Sequence, residues 1–171
     1  MAAGSTYTPI ATTTLGSAQA NVTFSSISGS YTDLVLIVQA KSSNSSDDPQ
    51  LYFNSDTGSN YSLTFISGNG SSAFSGRYSN TGGGFYCGRP GYTSAGFTTT
   101  IFNIMNYANS TTYKTILLRS GANDNTAGYN AAEAGVALWR STSAITSLTI
   151  DGGNGNIASG STFTLYGILA A

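Results

Sequence analysis

Hydrophobic and polar residues alternate along much of this 171-residue chain, at the two-residue period of a half-buried β-strand. The alternation is clear over residues 21–27 and 61–66. Residues 33–39 are instead apolar at consecutive positions, which predicts a central strand covered on both faces. No window sustains a helical period, apart from a single turn around residues 131–133. The pattern predicts an all-β chain.

Segments rich in Gly, Asn and Ser separate the predicted strands at nearly regular spacing. Further strands are predicted over residues 50–53, 74–78, 85–88, 97–107, 113–120, 135–140, 144–150 and 162–168. Eight to ten short strands with turns between them indicate an antiparallel two-sheet β-sandwich of jelly-roll type. We expect a single domain of this kind over residues 19–171.

Residues 1–18 are rich in Thr, Ser and Ala, and differ in composition from the strands that follow. They predict an extended N-terminal arm, and arms of this kind often become ordered by docking onto another molecule. We expect Tyr7, Pro9 and Ile10 to make the assembly contacts of this arm.

The charged fraction of the chain is 8%, against about 25% in an average soluble domain. Six scattered basic residues are a poor footprint for nucleic acid, since binding depends on several Lys and Arg side chains that neutralise phosphates. No apolar run approaches the roughly 18 residues of a membrane-spanning helix. We therefore expect neither nucleic acid nor a membrane as partner. The net charge of −1 favours association with other proteins.

The chain contains no histidine, which excludes the catalytic triads and dyads that use histidine as a base. It has one cysteine, Cys87, so the usual zinc sites are excluded as well. Most of the seven acidic residues fall in loops rich in Gly, Ser and Asn, rather than as a facing pair of carboxylates. The sequence predicts no catalytic residues, no cofactor and no enzymatic activity.

The densest polar cluster contains Asn54, Asp56 and Asn60 around Gly58. Alternating oxygen ligands around a glycine turn suit Ca²⁺, although the spacing differs from that of an EF-hand. The favoured interpretation is a hairpin loop whose Asn and Asp side chains bond their own backbone, with a Ca²⁺ site as the alternative.

Tyrosine is frequent in the glycine-rich segment, at Tyr78, Tyr86 and Tyr92. Aromatic rings set among Gly, Ser and Asn resemble the composition of adaptable binding loops. We expect these three tyrosines to be contact residues for a glycan or a protein partner. The aromatic residues expected in the core are Phe24, Phe53, Phe65, Phe102, Trp139 and Phe163.

Five segments taken in order are similar to a family of small structural proteins of tailed bacteriophages, of the type found in cyanophages and other marine phages. The most specific of them are Asn54-Ser55-Asp56-Thr57-Gly58-Ser59-Asn60-Tyr61-Ser62 and the terminal Gly160-Ser161-Thr162-Phe163-Thr164-Leu165-Tyr166-Gly167-Ile168. The others begin at Thr13, Val22 and Tyr31. The resemblance spans residues 7–168 and implies a virion protein made in the cytoplasm of a host bacterium. It supplies no catalytic residues.

Two functions are consistent with this resemblance. The favoured one is a capsid decoration or cement protein that oligomerises on the head, with a trimer as the expected state, and contacts the major capsid protein or other virion proteins. The alternative is a tail-associated adhesin that binds a host surface glycan. The absence of heptads of the kind that trimerise tail fibres favours the first.

Overall fold

The computed structural model describes residues 6–44, 46–47, 49–87, 92–93, 96–123 and 132–169. Within these ranges the chain forms fourteen β-strands and no helix. The strands are β1 (Tyr7–Thr14), β2 (Asn21–Phe24), β3 (Asp33–Ala40), β4 (Ser46–Asp47), β5 (Gln50–Phe53), β6 (Tyr61–Gly68), β7 (Ala73–Thr81), β8 (Phe85–Tyr86), β9 (Tyr92–Thr93), β10 (Phe97–Ile104), β11 (Lys114–Asn123), β12 (Ala132–Trp139), β13 (Leu148–Asp151) and β14 (Thr162–Ile168). The prediction of an all-β fold is confirmed.

Twelve of these strands form two antiparallel sheets. The large sheet has the order β1-β14-β3-β10-β11-β12-β6-β7, and the small sheet has the order β2-β13-β5-β8. The remaining two strands, β4 and β9, pair only with each other. This is the predicted two-sheet arrangement, whereas the jelly-roll connectivity stays a prediction.

The two sheets share one hydrophobic core. Phe53 of the small sheet contacts Trp139 of the large sheet, with ring centroids 5.4 Å apart, and Phe85 lies 4.9 Å from Tyr61. The strict alternation of buried and accessible positions in β10 and β14 places every second side chain in this core. Aromatic burial therefore holds the sheets together, as a sandwich requires.

The strand count exceeds the eight to ten expected from the sequence. Three strands lie outside those predicted: β1 falls in the predicted arm, and β4 and β9 have only two residues each, which is too short to show an alternating pattern. The possible helical turn near residue 132 does not form, because Ala132 and Glu133 belong to β12 and pair with β11.

Residues 7–14 of the predicted arm form β1, an edge strand of the large sheet that pairs with β14 of the same chain, and an arm separate from the domain stays a prediction. Tyr7 contacts the ring of Tyr166 at 6.0 Å, and the pairing shifts between Pro9 and Ala11, where Ile10 turns towards the core. Docking of these residues onto a neighbouring molecule stays a prediction.

Candidate functional site

Five adjacent strands of the large sheet, β10, β11, β12, β6 and β7, present a continuous surface on the side away from the core. Their register places Leu117 beside Val136, and Val136 beside Thr64. The next row on the same side, two residues along each strand, contains Arg119, Ala134 and Ile66. We call the outward side chains of these five strands the outer face.

The centre of the outer face is apolar. Ile66 is 65% exposed, Val136 52% and Leu117 44%, and Met105 lies at one end of the same group. Contiguous exposed aliphatic side chains are a feature that many contact surfaces share.

Two adjoining depressions of about 880 and 720 Å³ cross the outer face, and both are lined by Ile66, Arg119 and Ala134. The outward residues of β12 explain their depth. In chain order these residues are Ala132, Ala134, Val136 and Leu138. Small side chains therefore leave a depression at one end of the strand, and larger side chains protrude at the other.

The charge on this surface has a single sign. Arg119 and Arg77 are exposed and occupy outward positions on β11 and β7. Within the five strands as the structure describes them, no acidic side chain points outward, since Glu133 of β12 is buried on the core side. The face therefore has an aliphatic centre and two separated cations, with polar side chains such as Thr64, Ser75 and Asn103 around them.

The predicted Ca²⁺ ligands are engaged within the chain. The carboxylate of Asp56 accepts hydrogen bonds from Trp139 Nε1 at 2.7 Å, Asn60 Nδ2 at 2.9 Å and the Gly58 N–H at 2.8 Å. Burial acts to raise the pKa of Asp56, but these three donors hold the pKa below its usual value. This loop bonds its own groups, which leaves few oxygens for a cation.

Asn54, the third of these residues, bridges to a different loop. Its Oδ1 accepts hydrogen bonds from the backbone N–H groups of Thr146 and Ser147, and its Nδ2 donates to the carbonyl of Ala144. Asn54 also has a positive φ of 51°, a conformation that Asn tolerates better than most residues. Its side chain therefore fixes a strained turn to the chain before β13.

Two of the three tyrosines predicted as contacts, Tyr78 and Tyr86, lie against each other. Tyr78 stacks on Phe65 with centroids 5.8 Å apart, and its ring is 5.0 Å from that of Tyr86. Tyr92 lies in β9, but its side chain is outside the described part of the chain. Tyr78 thus belongs to the margin of the core, and Tyr86, in β8 of the small sheet, lies beside that margin.

The outward side of the small sheet is polar and aromatic. Tyr52 donates a hydrogen bond to Gln50 Oε1 at 2.6 Å, and Gln50 pairs in register with Asp151 and with Tyr86. Burial, together with the nearby Asp151 and Tyr86, raises the pKa of Tyr52. This surface differs in chemistry from the outer face of the large sheet.

The outer face could have been anticipated from one sequence signal. Residues 116–118 and 136–138 are apolar at consecutive positions, so both faces of β11 and β12 carry aliphatic side chains. Residues 33–39 show the same pattern.

In the described ranges, no group of three or more His, Cys, Asp or Glu residues is placed to hold a metal ion. No helix in those ranges is long and apolar enough to span a membrane. Scanning the chain against models of known families gives no match, and a search among curated proteins also finds no match.

Proposed function

We propose that this chain is a non-enzymatic structural protein of a tailed-phage particle, most directly a capsid decoration protein that braces the head. In this role it works by packing against other proteins, and the outer face is the surface through which it packs.

The observation that carries the proposal is the exposed apolar outer face, centred on Val136 and Leu117. Five strands about 4.8 Å apart and eight residues of about 3.3 Å each give a flat area of about 620 Å². This is close to the roughly 800 Å² that one partner contributes to a standard protein interface. A surface of this size and polarity is typical of a protein that functions in an assembly.

Three acidic residues of the described chain support a structural rather than a catalytic role. Asp33 accepts a hydrogen bond from the Asn106 N–H, Asp56 is held by Trp139, and Asp151 accepts from the Gly153 N–H. Each carboxylate closes a turn or joins two loops. The sequence also has no histidine, the side chain that most often acts as a general acid or base in catalysis.

The polar and aromatic surface of the small sheet supports a second candidate, a tail-associated adhesin. Phenol rings with adjacent amide and carboxylate groups, as at Tyr52, Gln50 and Asp151, suit the hydroxyls and apolar faces of a sugar. In this alternative the small sheet, and not the outer face, contacts the host glycan.

The experiment uses a phage that encodes this chain, with the gene removed and then restored in trans. We expect particles that lack the protein to release their DNA at a lower temperature than wild-type particles, and antibody labelling to mark the head. Restoration with Thr23→Glu, a change at an exposed position of the small sheet, should recover heat resistance, whereas Val136→Glu should not.

Particles that hold their DNA equally well without the protein would refute a bracing role. Label on the tail, together with binding of the purified protein to host polysaccharide, would replace the decoration proposal with the adhesin.

A further inference from the structure

We infer that the outer face is occupied by a second copy of this chain, stacked face to face about a two-fold axis that crosses the strands. The inference rests on the proposed function, since it uses the same surface, and it names the partner and the residues that meet.

The first argument is the gradation of side-chain size along β12. Its outward residues increase from Ala132 and Ala134 to Val136 and Leu138. A two-fold axis between residues 134 and 136 places Val136 of one copy over Ala134 of the other. It also places Leu138 over Ala132, so every large side chain meets a small one.

The ends of the neighbouring strands have the same complementarity under this axis, whereas at the centre of β11 Leu117 lies over Arg119. On β11 the outward Thr115 lies over Gly121 of the second copy, and on β6 Ser62 lies over Gly68. The depression of about 880 Å³ around Gly68 and Ala132 thus receives the high end of the partner's face. Isologous contacts require a surface that complements itself in this way.

The second argument concerns charge. The axis passes between Leu117 and Arg119 on β11, so the aliphatic stem of each Arg119 packs over Leu117 of the other copy. With two residues of about 3.3 Å between them along the strand and sheets about 10 Å apart, the two Arg119 positions are about 12 Å from each other. The two guanidinium groups extend beyond these positions and must reach water at the margin of the contact, because a buried pair of like charges would oppose association.

The third argument is area. Two flat faces of about 620 Å² bury about 1,200 Å² in total, which lies within the range of specific interfaces. Stacked sheets of this kind pack with their strands nearly aligned, and the net charge of −1 adds little repulsion between copies.

The test is the mass of the purified full chain in solution, measured by light scattering or sedimentation. We expect about 35 kDa, twice the 17.5 kDa of one chain. Val136→Glu should weaken association at least about 10-fold, because it replaces the contact with Ala134 by a carboxylate whose desolvation the neighbouring Arg119 of the other copy offsets only in part. Thr23→Glu is the matched control on the opposite side of the sandwich and should leave the dimer intact.

The register has its own test, in which two single variants are mixed. Ala134→Lys and Val136→Glu should each be monomeric, and their mixture should form a heterodimer, since the lysine of one chain faces the glutamate of the other. Ser75→Lys, on the same face but away from Val136 in this register, should fail to restore association with Val136→Glu.

A monomeric wild-type protein, a trimer, or a dimer that Val136→Glu leaves unchanged would overturn the inference. Failure of the Ala134→Lys mixture would overturn the two-fold register. A monomer that still protects phage heads would leave the proposed function standing, whereas a dimer absent from the particle would refute that function and leave the contact in place.

Discussion

Replacing Asp56 with alanine should destabilise the fold, mainly because it leaves the buried indole N–H of Trp139 without a hydrogen-bond acceptor. The Asp56 carboxylate accepts hydrogen bonds from the Trp139 indole, the Asn60 amide and the Gly58 N–H. Trp139 is only 2% exposed, so its N–H has no access to bulk water when the acceptor is removed. The other two donors lie in the more accessible loop and can bond to solvent.

The magnitude follows from this difference in burial. A buried donor left unsatisfied costs about 1–3 kcal/mol, and each loop hydrogen bond contributes about 0.5–1.5 kcal/mol net. The expected loss in the free energy of unfolding for Asp56→Ala is therefore about 3 kcal/mol. Asp56→Asn retains one oxygen that can accept from the indole, and should lose about 1 kcal/mol.

The assay is urea unfolding at neutral pH, followed by tryptophan fluorescence. Trp139 is the single tryptophan of the sequence, so the emission reports on the neighbourhood of the mutated side chain. The midpoint concentration should fall while the slope of the transition stays constant, because the surface exposed on unfolding is unchanged.

Asp151→Ala is the matched control. Its carboxylate accepts from the Gly153 N–H in an exposed turn and contacts no buried donor, so the expected loss is at most about 1 kcal/mol. If Asp56→Ala were no more destabilising than Asp151→Ala, the reasoning from the buried indole would be wrong.

Three further predictions concern titration and packing. The folded pKa of Asp56 lies below its ordinary value, so the stability that its carboxylate contributes is complete above the ordinary pKa and is lost as the pH falls through the folded pKa. In urea unfolding from about pH 6 down to about pH 2, Asp56→Asn should therefore lose less of its free energy of unfolding than wild type. Gly167→Ala places a Cβ 2.3 Å from the Tyr31 ring and should lower stability by about 1–3 kcal/mol in thermal melts, whereas Gly16→Ala, with open space around it, should not. The buried Lys114 ammonium donates to two backbone carbonyls and burial lowers its pKa, so Lys114→Met should stay within about 1 kcal/mol of wild type while Lys114→Ala loses about 2–4 kcal/mol to a cavity.

The alternating pattern was sufficient to predict the fold class and most of the long strands. Residues 61–66 and 162–168 bury every second side chain, as expected, and form β6 and β14. The order of strands in the sheets could not be predicted in the same way, because antiparallel neighbours such as β12 and β6 are far apart in sequence and many pairings satisfy one pattern.

The candidate site was harder to predict than the fold. The densest polar cluster in the sequence contains Asn54 and Asp56, whose side chains stabilise turns. The apolar residues Leu117 and Val136 were assigned to strands, but only the sheet register shows that they lie next to each other and away from the core. The consecutive apolar residues 116–118 and 136–138 are a signal for two strands with aliphatic side chains on both faces, but the sequence does not show that these strands pair with each other.

The position of β14 has a consequence for how the chain folds. This strand lies between β1 and β3, and it joins Thr162 to Thr14, which are 148 residues apart in sequence. Closing so long a loop is entropically costly and must precede the pairing, so we expect this step to be slow. Until β14 is in place, β3 keeps an unpaired apolar edge in the middle of the sheet. A chain interrupted before residue 162 would present that edge to other chains, the arrangement most prone to aggregation.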